Sequence, residues 1–226
     1  MKPRLYFSFR SPYSWLTVHR LRETVPDAFD RIEWYPFWDP DAETERALAE
    51  RDAEFHYVQM SRAKHLYLLV DTKRLADRLG LPMAWPIDVD PWWERPHLAY
   101  LAAREQGRAE AFYDAITAAR WGRGENICDA DVVERAAKEA GVDPVAALNA
   151  PDDPDVRDAG AACLVKAYED DVFGIPYLRW RRHRFWGYDR LSDFLRTWRD
   201  DDPEAVPVQP GAEGEPYDTD TAGGCG

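Results

Sequence analysis

The stretch Leu5 to Trp15 reads L-Y-F-S-F-R-S-P-Y-S-W and sets a hydroxyl where an anion could be held. Leu5-Tyr6-Phe7-Ser8-Phe9 has the aromatic and apolar density of a short strand, and Arg10-Ser11-Pro12 breaks it. Ser11 offers a side-chain oxygen at an N-cap and Pro12 suits the first helical position. Trp15, Leu16, Val18, His19 and Leu21 then continue at helical spacing. Ser11 would therefore stand at the tip of a strand and at the positive end of a helix. Free N–H groups and the helix dipole stabilise negative charge there by about 0.3–1 kcal/mol, and up to about 2 kcal/mol in partly buried geometry. A thiolate, carboxylate or phosphate suits such a place; plain helix capping is the alternative use of the same serine.

Other candidates for chemistry are fewer. Cys128, Cys163 and Cys225 form no C-x-x-C pair, and His19, His56, His65, His97 and His183 show no zinc-like spacing with Cys or acidic residues, so no metal is expected. Several of the ten tryptophans would find room in the core, but that many also suggests a cleft lined by flat rings; Trp38, Trp85 and Trp92 are the candidates, and those around Trp85 and Trp92 could equally cover a helix layer.

These residues must be positioned by a small set of elements. Arg31 to Phe37 alternates as a second strand ending at Pro36, and Ala42 to Arg51 reads as a short polar helix. From Met60 the helical period leads to Gly80, a plausible C-cap, and helical segments follow at 95–106, 108–121, 129–141 and 154–171. The Pro- and Asp-rich run Ala150 to Pro154 reads as the connection between the last two. Strand character returns at Tyr177 to Trp180 and Arg184 to Trp186, before a last helix from about Arg190 to Arg199. The order is β-α-β, a block of helices, then β-β-α, an α/β plan with helices inserted between two halves of one sheet. The formal charge is −13, but eight acidic residues lie beyond Arg199 without a Lys or Arg, so the rest is only mildly acidic. No basic stripe follows a phosphate backbone, which argues against nucleic acid. No apolar run is long enough for a signal peptide or membrane span, and three unpaired cysteines suit the cytoplasm. Residues 201–226 read as a disordered acidic tail, with Cys225 in G-G-C-G either a reactive exposed thiol or, the favoured reading, inert.

F-S-F-R-S-P-Y-S-W, the run from Lys64 to Pro86, R-W-G-R-G at Arg120 to Gly124, and V-F-G-I-P with F-W-G-Y-D-R-L between Val172 and Leu191 together resemble the 2-hydroxychromene-2-carboxylate isomerase and kappa-class glutathione transferase family. The resemblance spans roughly residues 4 to 200. It implies a thioredoxin-like fold of the DsbA type, split as 1–58 and 172–200 around a helical insertion at 59–171. In redox members of that fold the first turn carries C-x-x-C. Here it holds Ser11, Pro12, Tyr13 and Ser14, so it cannot exchange disulfides. The resemblance implies that Ser11 hydrogen-bonds the thiol of glutathione, or of another low-molecular-weight thiol, and holds it as thiolate. It further implies a cis Ile175-Pro176 bond facing an extended ligand, Asp189 and Arg190 at the γ-glutamyl end, and Lys64 at the glycyl carboxylate. Tyr13, Trp38, Trp85 and Trp92 would line the substrate pocket, and a homodimer is the implied assembly. The family's Gly/Asn-rich stretch before the helical run has no clear counterpart in Arg51 to Met60. The function expected is thiol-dependent isomerisation of a small unsaturated, aromatic and anionic substrate. The alternatives are a glutathione transferase and a non-catalytic, DsbA-like peptide- or partner-binding accessory protein.

Overall fold

The computed structural model describes residues 1–57 and 60–206. Four short strands form one mixed sheet: β1 (Arg4–Phe7), β2 (Glu33–Pro36), β3 (Tyr177–Trp180) and β4 (His183–Trp186), in the order β2-β1-β3-β4. β1 is parallel to β2 and antiparallel to β3, and β3 is antiparallel to β4. A parallel pair needs a crossover, supplied by α1 (Pro12–Thr24) and the one-turn α2 (Ala28–Arg31). Leu5, Tyr6 and Phe7 of the central strand are fully buried, so β1 shows no alternation of apolar and polar residues.

Between β2 and β3 lie α3 (Ala42–Ala49), α4 (Arg62–Arg78), α5 (Glu94–Glu105), α6 (Ala109–Thr117), α7 (Ala130–Ala140), α8 (Pro144–Asn149) and α9 (Pro154–Glu169); α10 (Leu191–Asp201) follows β4. This is a thioredoxin-like fold carrying a large helical insertion. α5 is buried from Pro96 to Ala103 and joins the insertion to the sheet, with Tyr100 edge-on to Phe7 and Phe9 at 5.3 and 5.9 Å. One continuous core results. Among the described residues no helix is long and apolar enough to cross a membrane.

The sequence reading differs from the structure in several places, the first being Arg31, read as strand, which ends the one-turn α2. α8 occupies residues just before the connection read at Ala150 to Pro154, which itself begins with a single 3₁₀ turn. The segment read as helix over 108–121 is α-helical only to Thr117 and then widens into a π turn, Ala118–Gly122, which buries the adjacent side chains of Arg120 and Trp121. α9 stops at Glu169 because Asp171 adopts a left-handed φ of 53°. The packed chain also runs past the boundary expected at residue 200. α10 reaches Asp201, Ala205 and Val206 are buried, and Arg31 donates to the carbonyls of Glu204 and Ala205. The acidic residues beyond Val206, with Cys225, lie outside the described residues.

Asp170 ties sheet to insertion. It is buried just beyond α9, accepts from the Tyr6 hydroxyl at 2.5 Å, and pairs with Arg4 at 2.7 Å and with Arg179. Arg4 and Arg179 are cross-strand partners on β1 and β3, a like-charge pair that Asp170 neutralises.

Candidate active site

Ser11 is the N-cap of α1. Its backbone is extended, its Oγ accepts from the Ser14 N–H at 3.2 Å, and Pro12 occupies the first turn. Capping leaves the Ser11 hydroxyl proton free to donate outward. No acidic side chain lies in the first turn, so the positive end of the helix is uncompensated. Ser11 N–H also donates to the Ser8 carbonyl at 3.1 Å, which closes a tight turn between strand and helix.

The turn is held from behind by His97, a residue that sequence reasoning passed over. Its Nδ1 lies 2.7 Å from the Trp93 carbonyl and must donate to it, so Nε2 is an acceptor. That nitrogen receives the Phe9 N–H at 3.2 Å and the Ser8 hydroxyl at 3.2 Å. Ser8 Oγ accepts in turn from the Arg10 N–H, and Ser14 Oγ accepts from the Ser8 N–H. Complete burial lowers the His97 pKa to about 3, against the Trp93 carbonyl and with help from the Arg120 charge, so the ring is neutral at ordinary pH. A lone histidine in the buried run Pro96–Ala103 carries no periodic signal that marks it.

The sheet register sets the other side of the site. Tyr6 stands opposite Tyr177, so the exit of β1 toward Ser8 and the entry of β3 from Pro176 leave the ladder side by side. The Ile175–Pro176 peptide is cis, and the Pro176 carbonyl accepts from the Gly187 N–H at 2.9 Å. That bond anchors the 3₁₀ turn Tyr188–Arg190. Asp189 is exposed and does not cap α10, whose first turn carries no side-chain cap. Arg190 is exposed, with its guanidinium 3.9 Å from Asp193.

α4 completes this edge. Lys64, in its first turn, places Nζ 5.8 Å from the centre of the Trp186 ring. Trp186 lies against Gly174, where an added Cβ would come within 2.7 Å of its Nε1, and meets Phe173 edge-on at 5.0 Å. Tyr13 donates to Asp71 of α4 at 2.7 Å. Burial, then that hydrogen bond and the charges of Asp71 and Asp189, push its phenol pKa far up. Asp71 also accepts from Tyr67 and Arg74, so it too escaped the sequence reading. Tyr13 thus lies in the first turn of α1 within reach of the Asp189 charge, Lys64 meets Trp186 at the end of β4, and Ile175 and Pro176 lead into β3 opposite the exit of β1.

The tryptophans are distributed differently from the expectation. Trp38 is 2% exposed, stacked on His97 at 5.2 Å and 15°, and packed against Gly160, so it belongs to the core. Trp92 is tied to the start of α3, its indole N–H donating to Asp41 at 3.2 Å under the Arg95 guanidinium. Asp41 is the side-chain cap of α3; burial raises its pKa, but the hydrogen bond from Arg157 and those from Thr44 and Trp92 outweigh this and hold it at about 2. Trp85 alone of the three stays beside the site. It is half-buried and edge-on to Trp121 at 5.9 Å, and Trp121 stacks on Trp15 at 6.0 Å and 19°. Trp93, Arg120 and Trp121 are the residues missed. The doublet Trp92-Trp93 and the R-W-G-R-G run were the signals available.

Neither described cysteine can serve as a nucleophile. Both are buried free thiols; burial, then the Asp88 charge, pushes Cys128 up to about 12, and burial also raises Cys163. A cleft of about 760 Å³ lies along the β2 edge, lined by Trp34, Tyr35, Arg104 and Lys166, and contains none of the residues around Ser11. No group of three His, Cys, Asp or Glu side chains is placed to hold a metal among the described residues.

Comparison with known proteins places the fold. Over 198 residues the chain is 29% identical to 2-hydroxychromene-2-carboxylate isomerase of Sphingobium xenophagum, covering 85% of this chain and 95% of that protein. A solved 2-hydroxychromene-2-carboxylate isomerase structure superposes with a TM-score of 0.68 at 24% identity, over 89% of this chain and 98% of its own. The cytosolic disulfide reductase DsbM from Pseudomonas aeruginosa superposes with a TM-score of 0.59 at 16% identity, over 88% and 99%. The DSBA-like thioredoxin domain model matches residues 4–198, and the chain belongs to that family.

Proposed function

We propose that the protein is a thiol-dependent isomerase that acts on a small unsaturated, aromatic and anionic substrate, with glutathione or another low-molecular-weight thiol as cofactor. The observation that carries this reading is Ser11, a serine where redox relatives hold cysteine, capping an uncompensated helix end beside a cis prolyl bond. The residues present fit a thiol. The chain has no accessible thiol of its own among the described residues, while the Ser11 proton and the helix end favour a bound sulfur in its anionic form. Lys64 and Asp189 would hold the charged ends of a peptide thiol, and the backbone around Ile175 its extended chain. Bound there, the thiol supplies a sulfur nucleophile that adds reversibly to a conjugated double bond, allowing rotation about it, and leaves unchanged.

The residues of the chain do the rest. Ser11 donates to the sulfur while Ser14 N–H keeps its oxygen oriented. Trp85, half-buried and edge-on to the buried Trp121, offers a flat surface to an aromatic substrate. A hydrogen bond to a charged group contributes about 1.5–3 kcal/mol, so Ser11→Ala should lower turnover by about one to two orders of magnitude. Unchanged turnover would remove Ser11 from the mechanism. Product analysis separates isomerisation, which returns free thiol, from conjugation, which leaves a thioether. A calorimetric titration with glutathione that gives no heat would favour the accessory-protein reading. The same proposal carries a homodimer in the reducing cytoplasm, where both described cysteines would stay free; sedimentation tests the assembly.

A further inference from the structure

Arg120 has two features that the proposed isomerisation does not yet use. Its side chain is buried, although a guanidinium stays charged at every relevant pH, and it is flanked by Trp93 and Trp121 with ring centres 5.0 and 4.8 Å away. Its charge is met by a single carboxylate: Nη1 and Nη2 donate to Asp88 at 2.8 and 2.9 Å. That end-on grip leaves Nε, also buried, without a partner. A carboxylate approaching from the side would engage Nε and Nη together.

Asp88 is poorly suited to be a permanent partner. Residues 87–91 are all exposed, Ile87 and Val89 on either side of it are 81% and 66% exposed, and Asp90 adopts a left-handed φ of 43°. Little apolar burial holds this segment down apart from the ion pair. The two rings around Arg120 also reach the catalytic turn. Trp93 carries the Arg10 guanidinium at 5.6 Å, and Trp121 stacks on Trp15, so residues on both sides of Ser11 touch the walls of the Arg120 seat.

We infer that Arg120 is the binding seat for the carboxylate of a planar aromatic or unsaturated substrate, and that Asp88 occupies this seat in the free protein as a displaceable internal carboxylate. Exchanging one carboxylate for another leaves no buried charge unpaired, satisfies Nε, and frees segment 87–91 to open as the substrate enters. The inference names a determinant of substrate class for the site proposed above and rests on that reading for its role in turnover, though the binding itself needs no thiol.

The test uses trans-cinnamate as a probe, with cinnamamide as its uncharged isostere, and tryptophan fluorescence as the readout, since Trp93 and Trp121 form the seat. An internal competitor reduces apparent affinity by the fraction of empty sites. Asp88→Asn should therefore bind cinnamate about tenfold or more tightly than the wild type, with cinnamamide unchanged. Arg120→Lys, which keeps the charge but loses the fork, should lose the cinnamate response. Cinnamate binding no tighter in Asp88→Asn, or equal in Arg120→Lys and wild type, overturns the inference. Should Asp88→Asn not fold, hydrogen exchange of the wild type decides. Cinnamate, but not cinnamamide, should speed exchange across residues 87–91, and no difference between the two overturns it. Ser11→Ala separates this inference from the thiol reading, because it should bind cinnamate as the wild type does even where glutathione gives no heat.

Discussion

A hydroxyl that accepts its own helix's N–H keeps its proton for a ligand, so the cap on α1 leaves Ser11 able to take the role proposed for it while its oxygen serves the fold. The strand, the Ser-Pro break and the helix that follow from Leu5 to Leu21 were all legible, because local turn chemistry alone fixes them. His97 was not legible, since its role comes from where α5 crosses behind the turn. It imposes a pH dependence whose sign can be worked out. The folded pKa, about 3, lies below the ordinary 6.5, so the unfolded chain binds the extra proton between these values. The stability contributed by neutral His97 is complete above pH 6.5 and is lost as pH falls toward 3, at up to about 1.4 kcal/mol per pH unit. Asp41, held at about 2, adds its own loss only below its ordinary 3.8. Denaturant titrations between pH 7 and 4 should show this slope in the wild type and a flatter one in His97→Gln; equal slopes would mean that His97 is not buried neutral.

At the scale of elements, the inserted helices hold the turn in place. α9 crosses α5 at Gly160, where an added Cβ would meet Leu98 Cδ2 at 2.6 Å and the Trp38 ring at 3.3 Å. Trp38 backs His97, so this crossing supports the residue that supports the turn. Overpacking of a core costs about 1–3 kcal/mol. Gly160→Ala should lower the denaturation midpoint accordingly, and a midpoint equal to the wild type would show that Leu98 and Trp38 can yield. The division of the tryptophans belongs to this scale. Trp38, Trp85 and Trp92 look alike in sequence, and only the crossing of α5 with α9 and the cap of α3 decide that the first is core, the second beside the site and the third bound to Asp41. The short α8 escaped the sequence reading because Pro144 and Pro151 punctuate it on both sides, and the π turn because a helical period shows no change at Ala118.

At the scale of the whole molecule, the order β-α-β, helices, β-β-α was readable because the strands stand out by aromatic and apolar density or alternation and the helices by their period. The register that brings Pro176 beside the exit of β1 was not readable from period. It depends in part on Asp170, which joins β1, β3 and the end of α9 through Tyr6, Arg4 and Arg179. Removing one partner from a buried ion pair costs about 3–5 kcal/mol, and the partial exposure of both arginines puts Asp170→Ala at the lower end. Chemical denaturation should show a loss of about 3 kcal/mol; a loss under about 1 kcal/mol would mean that the network does not bind the two halves of the sheet together.

The central claim is that the Ser11 turn holds a bound sulfur as its anion, and the ultraviolet absorbance of the thiolate, followed against pH with glutathione bound, measures that directly. Ser11 and the helix end together should bring the bound thiol at least about one unit below its free pKa, equivalent to about 1.4 kcal/mol, and Ser11→Ala should return much of that shift. A bound thiol that titrates as it does free in solution, or identically in wild type and Ser11→Ala, would contradict the account.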